Sequence, residues 1–510
     1  MNSKQHRESD RSKLFKQPLS NSRFDYHAEH CRFNIIGDCL TNATRAEIFL
    51  EYYVMISSSI SNIRTEVKEF LKLAVPLASA QVAQSLVGFI DTVMMGHLGR
   101  ETLAAGGLAS ITFITLIHSA IGIVMGVSPL VAKAEGAGNK QQIKSVVGQG
   151  LWLSLVLAVP MMLLIGYLDR LMLQLGQAPA LVRLANTYLD IMLWATFPIL
   201  GFAVLRGFVS GVSQARPIMV IMIGGTLFNI AGDYILGFGK LGFPKLELTG
   251  IALSSTLAFW GMFLALIFYI HIHNQLRLYC IFQGLNWLKL HIIQELLWIG
   301  GPIGISTALE FGQTNVISYM MGTLGTDVLA AHQIVLQTAT ITYMLPLGMS
   351  YAVTVRVGQW LGQKSLKNLQ QAGYISMIFG GGIMILTAIT LTTFSRQVIG
   401  LYLNINDLAN NSVVVIAIPM LTVMAVQQIL DGVQRTAYGT LQGLQDTRVP
   451  MLLGLLAFWG FGLTSSYILG FPLGLGGVGL WIGQGIGVAT AAGFFVWRFR
   501  KLISSKKLTK

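Results

Sequence analysis

Charge is scarce in this sequence. Of its 510 residues, 11% are Asp, Glu, Lys or Arg, where an ordinary soluble domain carries roughly a quarter. So few ionic side chains cannot cover a water-facing surface, so a soluble globular fold is excluded. The apolar share of 53% excludes a disordered chain. Acids are the scarcer sign, 22 against 35 Lys and Arg, which leaves a net charge of +13. In a soluble protein that surplus would suggest nucleic acid. In a membrane protein basic residues collect in cytoplasmic loops, and no nucleic-acid partner is expected. Cysteine is nearly absent. Cys31, Cys39 and Cys280 form no CxxC and no metal-ligand spacing, so free thiols facing a reducing compartment are expected. The Gly-Lys-Ser/Thr of a P-loop is missing from LGQKS at 361–365, so ATP is not expected as a partner. GLGGVG at 474–479 follows no strand, so a dinucleotide site is not expected either. No cluster of His, Cys or Ser with a base is found, so the chain is not read as an enzyme.

What is present is a steady succession of long apolar segments after a polar start. Residues 1–65 lack the apolar core of a signal peptide, and seven acids between Glu8 and Glu51 speak against a transit peptide. They are expected as a disordered cytoplasmic tail, or as a stretch upstream of a start at Met55. Twelve spans follow, at 70–95, 103–128, 147–167, 186–206, 217–238, 250–272, 293–321, 328–354, 372–394, 412–434, 449–471 and 475–497. Each is long enough to cross a bilayer as a helix, and an even number puts both termini on one side. One set of loops is assigned Lys133, Lys140, Lys144, Arg206, Arg216, Arg277, Lys289, Arg356, Lys364, Lys367, Arg435 and Arg448. The opposite set is assigned only Arg100, Arg170, Arg183, Lys240, Lys245 and Arg396. The basic tail at 499–510 adds to the richer side, which the positive-inside rule makes cytoplasmic.

The chain repeats itself. VMMGHLGRETLAAGG at 93–107 reads like YMMGTLGTDVLAAHQ at 319–333, an offset of 226 that also carries Pro76 onto Pro302; YILGF at 234–238 recurs at 467–471. The expected fold is therefore all-α, with twelve transmembrane helices in two parallel six-helix repeats. Six is even, so the repeats are related by a pseudo-twofold along the membrane normal. The N-lobe is expected over 66–272, the linker over 273–291 and the C-lobe over 292–498.

Four acids lie well inside apolar spans: Asp91, Asp233, Glu310 and Asp431. A central ionised acid costs about 2.5–3.5 kcal/mol on insertion scales. No Lys or Arg is read at mid-span depth to offset it, so the acids are expected to be protonated, to face water or to bind a mobile cation. Asn229 stands one turn before Asp233 and adds a hard oxygen suited to Na⁺ or to a proton site. Gln427 stands one turn before Asp431. Gln84 occupies the repeat position of Glu310, so the two halves differ in charge. Pro76, on the helix that carries Asp91, is a candidate hinge, since an internal Pro frees a carbonyl and permits a kink.

These strings resemble the multidrug and toxic compound extrusion (MATE) transporters. PLASAQVAQSLVGFIDTVMMGHLG is similar to the family's first helix, and LEFGQTNVISYMMGTLGTDVLAAHQ to the seventh and eighth helices of its NorM-type bacterial branch. The resemblance covers roughly 66–498. It implies a monomeric plasma-membrane antiporter that exports amphipathic organic cations by rocking of two lobes. No cofactor is implied beyond the coupling ion, H⁺ or Na⁺. It makes Asp91, Asn229, Asp233 and Ser255 the N-lobe cation site, and Glu310, Asp431 and Gln427 the C-lobe site for cation or substrate. A Tyr that the family carries one turn before the second C-lobe acid is Gln427 here. The alternative is a flippase for lipids or lipid-linked oligosaccharides from the wider superfamily, which would favour basic residues in the central cavity.

Overall fold

The computed structural model describes residues 29–505 apart from 175, 286–287, 406 and 408–409. The stretch 1–28 of the expected tail and the last five basic-tail residues lie outside the described residues, as do the side chains of Cys31, Cys39 and Met55. Within the expected tail, the backbone from Glu29 onward is helical. Twelve helices are long and apolar enough to cross a membrane. They are α1 (Ile63–Leu98), α2 (Arg100–Gly136), α3 (Lys140–Gly166), α4 (Pro179–Gly211), α5 (Arg216–Gly237), α6 (Glu247–Ile272), α7 (Leu290–Thr323), α8 (Thr326–Gly362), α9 (Leu366–Thr393), α10 (Asn411–Gly443), α11 (Arg448–Gly470) and α12 (Gly476–Ser504). All twelve expected spans are there. Several helices run past their apolar stretch at the end where the basic loops lie: α2 reaches 136 rather than 128, α8 reaches 362 rather than 354, and α10 reaches 443 rather than 434.

That extension changes the charge map. Arg206, Arg356 and Arg435 are helix residues, not loop residues. Arg206 on α4 is 6% exposed. It donates to Gln81 Oε1 of α1 at 2.9 Å and to Met125 Sδ of α2 at 3.6 Å. Its guanidinium lies 5.1 Å from the Tyr351 ring centre on α8. Long basic side chains can lie along apolar surface while their heads find partners, so an apolar run stops before its helix does.

Helices α1–α6 form one lobe and α7–α12 the other, and the two touch through α1, α2, α7 and α8 at the basic end. Small residues make that contact possible, as in other tightly packed membrane helices. A Cβ on Gly122 of α2 would come within 2.6 Å of Gly304 Cα on α7. A Cβ on Gly300 would collide with the carbonyl oxygen of Ile123, and one on Gly348 of α8 with the backbone of Ala78 on α1. Polar groups fasten the same end. Arg356 of α8 grips Glu66 of α1 with two nitrogens, one at 2.9 Å, and Trp360 Nε1 donates to Glu66 Oε2 at 3.1 Å. Gln359 Nε2 donates to Gly211 O at 2.9 Å, and Lys133 Nζ to Gln445 Oε1 at 2.9 Å. Toward the opposite end α1 is less covered. Leu73, Ala74, Leu77 and Ala80 of α1 are buried, whereas Leu86, Phe89 and Val93 are exposed. Pro76 is buried inside α1, two residues from the Ala78 contact.

The linker is strapped to the first lobe. Trp152 Nε1 of α3 donates to Leu285 O at 2.9 Å, Lys144 Nζ to Gln283 Oε1 at 2.8 Å, and the Lys289 N–H to Gln149 Oε1 at 3.0 Å.

Adjacent glycines on α7 give a matched test of the lobe contact. Gly301 has open space where its Cβ would point. Gly300→Ala is expected to destabilise the protein by about 1–3 kcal/mol through overpacking, while Gly301→Ala leaves it unchanged or slightly stabler. Thermal unfolding midpoints of the two variants in detergent check this, and equal midpoints would count against the close approach.

Candidate functional site

The N-lobe site is built where α1, α5 and α6 cross. Each of its residues comes from an apolar helix with no basic side chain beside it. Asp91, Asn229, Asp233, Ser254 and Ser255 are all buried, with Asp233 fully so and Asn229 at 1%. Asn229 and Asp233 are one turn apart, and the Asn229 amide donates to Asp233 Oδ1 at 3.4 Å and to Ser255 Oγ at 3.0 Å. Ser255 donates to Asp91 Oδ2 at 3.4 Å. Asn229 and Ser255 thus link the two carboxyl groups in a chain that runs from Asp233 to Asp91.

Local backbone explains how α5 and α6 come so close. A Cβ on Gly232 would collide with the Ser254 hydroxyl, so a larger residue there would have to displace that hydroxyl. From Asp233 to Gly237 the helix widens into a π-turn, a feature that recurs at functional sites. The Asn229 carbonyl at that junction accepts the Asp233 N–H and also Ser254 Oγ, at 2.8 Å.

Three oxygens converge here with no donor: Asp91 Oδ1, Asn229 Oδ1 and Asp233 Oδ2. Each unsatisfied buried acceptor costs about 1–3 kcal/mol. Hard oxygens, two of them on acids, with no basic partner nearby, make a receptor for a proton or a small hard cation. All four residues expected at this site are brought together. Two members lie beyond that expectation: Ser254, and Tyr188 of α4. Tyr188 is buried and lies within electrostatic reach of Asp91 and Asp233. A lone Tyr in an apolar run carries no signal that separates it from core packing.

The C-lobe residues also meet, with a different character. Glu310 of α7 and Asp431 of α10 are electrostatic neighbours, and Gln427 is buried one turn before Asp431. The expectation that these acids lack a basic partner is overturned. Arg435, one turn beyond Asp431, donates from Nη1 to Glu310 Oε2 at 3.1 Å. Tyr343 of α8 donates to Glu310 Oε1 at 2.6 Å. A phenol is thus present although position 427 is Gln; it arrives from another helix. The pseudo-symmetric halves therefore hold unlike sites, one without a basic side chain among the described residues and one in which an arginine pairs with one of the two acids.

The Ser254 bond gives a direct check on the N-lobe scaffold. Interhelical hydrogen bonds in membranes average about 0.6 kcal/mol and reach about 1.7. Ser254→Ala is expected to destabilise by that amount and to loosen α5 against α6. Unfolding in detergent measures the stability change, and an unchanged midpoint would show that the bond contributes nothing.

Comparison with known proteins places this geometry. The MatE family model matches residues 76–235 and 302–468, two blocks that open on Pro76 and Pro302, in the register of the internal repeat. A probable multidrug resistance protein NorM from Synechocystis sp. is 51% identical over 87% of this chain and 96% of its own length. The multidrug resistance protein NorM of Burkholderia vietnamiensis is 35% identical over 85% of this chain and 94% of its own. Among solved structures, the eukaryotic MATE transporter AtDTX14 superposes with a TM-score of 0.76 at 19% identity, over 86% of this chain and 96% of its own. An outward-facing multidrug resistance MATE family transporter of the MOP superfamily superposes with a TM-score of 0.78 at 23% identity, over 87% and 97%. These structures share the two-lobe fold. With its repeats, its lobes and its sequence in agreement, the chain belongs to the MatE family of transporters.

Proposed function

We propose that this transporter is a secondary active antiporter, which exports amphipathic organic cations in exchange for H⁺ or Na⁺ taken up by the N-lobe acids. The observation that carries the reading is the Asp91–Asp233 pair, buried together with three donor-less oxygens and no basic side chain. Two negative charges cannot persist side by side at that depth, so the pair takes up a cation whenever it can reach one. The basic end, where the lobes are fastened, faces the cytoplasm in this reading, and both termini lie there in a plasma-membrane protein. The lobes then part toward the outside. Loading the pair from that side removes negative charge, weakens the hold on a cationic substrate and releases it. Reclosure follows, by rocking of the lobes about the α1, α2, α7 and α8 contact, with Pro76 as the flexible point on α1.

A lipid or lipid-linked oligosaccharide flippase is the competing reading. Arg206 and Arg435 do stand inside the helices, but Arg206 is packed by Gln81, Met125 and Tyr351, and Arg435 is neutralised by Glu310. Neither offers an open basic surface to an anionic headgroup.

Efflux of ethidium from inverted vesicles, with ΔpH and the Na⁺ gradient imposed separately, tests the proposal. The wild-type protein is expected to respond to one gradient. Asp91→Asn is expected to lose that response by at least about tenfold, equivalent to 1.4 kcal/mol, with the protein still present in the membrane. Full gradient-driven efflux by Asp91→Asn would overturn the N-lobe role.

A further inference from the structure

Arg356 and Arg206 both reach from one lobe to the other at the basic end, and they are held in opposite ways. Arg356 of α8 is paired with Glu66 of α1. Arg206 of α4 is paired with no acid among the described residues, although only 6% of it is exposed. Its Nη1 meets a neutral amide oxygen, that of Gln81, at 2.9 Å. Its Nη2 meets the Met125 thioether at 3.6 Å, a weak acceptor, and its Nε has no acceptor. Gln81 and Met125 belong to the same lobe as Arg206, and both are buried. The cover from the other lobe is Tyr351 of α8, whose ring centre lies 5.1 Å from the guanidinium, within cation–π range. Tyr351 stands one turn after Gly348, the residue packed on Ala78 of α1, so the ring moves with the lobe contact. Just beyond Arg206, α4 ends at Gly211, whose carbonyl accepts from Gln359 of α8. The charge therefore lies inside the lobe contact, near its basic edge. An ion taken out of water loses more than one neutral hydrogen bond and a ring face return to it.

We propose that Arg206 is a spring built into the fold, a buried charge that drives the lobes apart at the basic end. With that end shut, the guanidinium is stripped of water and has no counter-charge. When α8 swings away, Tyr351 leaves while Gln81 and Met125 stay, and water reaches the guanidinium on the side that the ring had covered. The charge is better solvated in the open arrangement, and it shifts the balance toward that arrangement by the difference. Glu66 and Arg356 act against it. Their charges are matched while the end is shut and separated when it opens, so they hold it shut. The inference rests on the lobe rocking of the proposed antiport and adds what sets the balance between the two arrangements.

The test uses the full chain in lipid nanodiscs, with two readouts. Thermal unfolding gives a midpoint. Spin labels on Gln141→Cys of α3 and Lys367→Cys of α9, exposed positions at the basic ends of different lobes, give the inter-lobe distance, with Cys31, Cys39 and Cys280 replaced by Ser. Arg206→Met removes the charge at similar volume. It is expected to raise the midpoint and to lower the fraction with the basic end open by roughly five- to tenfold, since an apolar side chain in place of a poorly compensated buried charge favours the buried arrangement. Arg206→Lys keeps the charge and is expected not to lower that fraction. Tyr351→Leu uncovers the guanidinium and is expected to raise the fraction in the wild-type background but not beside Arg206→Met. A midpoint that stays or falls in Arg206→Met would overturn the proposal, as would a Tyr351→Leu shift of equal size in both backgrounds. Arg206→Gln is the second neutral variant; failure of both neutral variants to insert would make the charge a stabilising group and overturn the proposal as well. Wild type measured with and without ethidium and Na⁺ separates the two readings. If the label distance moves under no condition and in no variant, lobe rocking falls, and the midpoint alone decides whether the charge opposes the contact. If the wild-type distance moves and Arg206→Met changes neither readout, only the role of Arg206 falls.

Discussion

Everything about this molecule follows from the cost of unpaired charge in hydrocarbon. With few ionic residues to place, the chain uses them in two opposite ways. At the basic end it pairs them, Arg356 with Glu66 and Arg498 with Asp446, and the pairs secure helix ends. In the N-lobe it leaves two acids against each other, without a partner. In the proposed antiport, the second arrangement is relieved by a small cation that enters from outside the protein. The unpaired site and the paired ends are two answers to one electrostatic constraint, and the difference between them separates function from scaffold.

The packing serves the same division. Glycines let α1 and α2 press against α7 and α8 at one end, where backbone meets backbone. Toward the other end the helices carry larger exposed side chains, and α1 is less covered. The interface at the first end combines backbone close approaches, an apolar core shared by both lobes and a set of polar bonds.

Most of the fold was legible in the sequence, because its signals are long. Twelve apolar runs and a repeat at a constant offset survive any error at the ends. Asp91 and Asp233 were legible because an acid inside an apolar run is rare enough to stand out; Asn229 followed from its place one turn before Asp233, and Ser255 came only from the family resemblance. The ends of helices were not legible. Apolar periodicity stops where the lipid stops, but the helix continues into the lobe interface, so Arg206, Arg356 and Arg435 read as loop residues. The partner of Glu310 was lost for that reason, and with it the asymmetry between the lobes. Tyr343 and Tyr188 were invisible for another. Each acts through a contact from a helix distant in sequence, and an aromatic in a membrane span looks the same whether it packs or donates.

The strap between the lobes has a mechanical consequence. Because Gln283, Leu285 and Lys289 are bonded to α3, the foot of α7 is fixed to the first lobe. In the proposed rocking mechanism, the second lobe would swing from that foot as a lever swings from its fulcrum. At 1.5 Å rise per residue, a helix of the length of α7 reaches about 50 Å. A turn of about 10° at the fulcrum then carries its far end through roughly 9 Å, by the same helix geometry. A small adjustment at the foot is enough to open or shut the far mouth of the molecule.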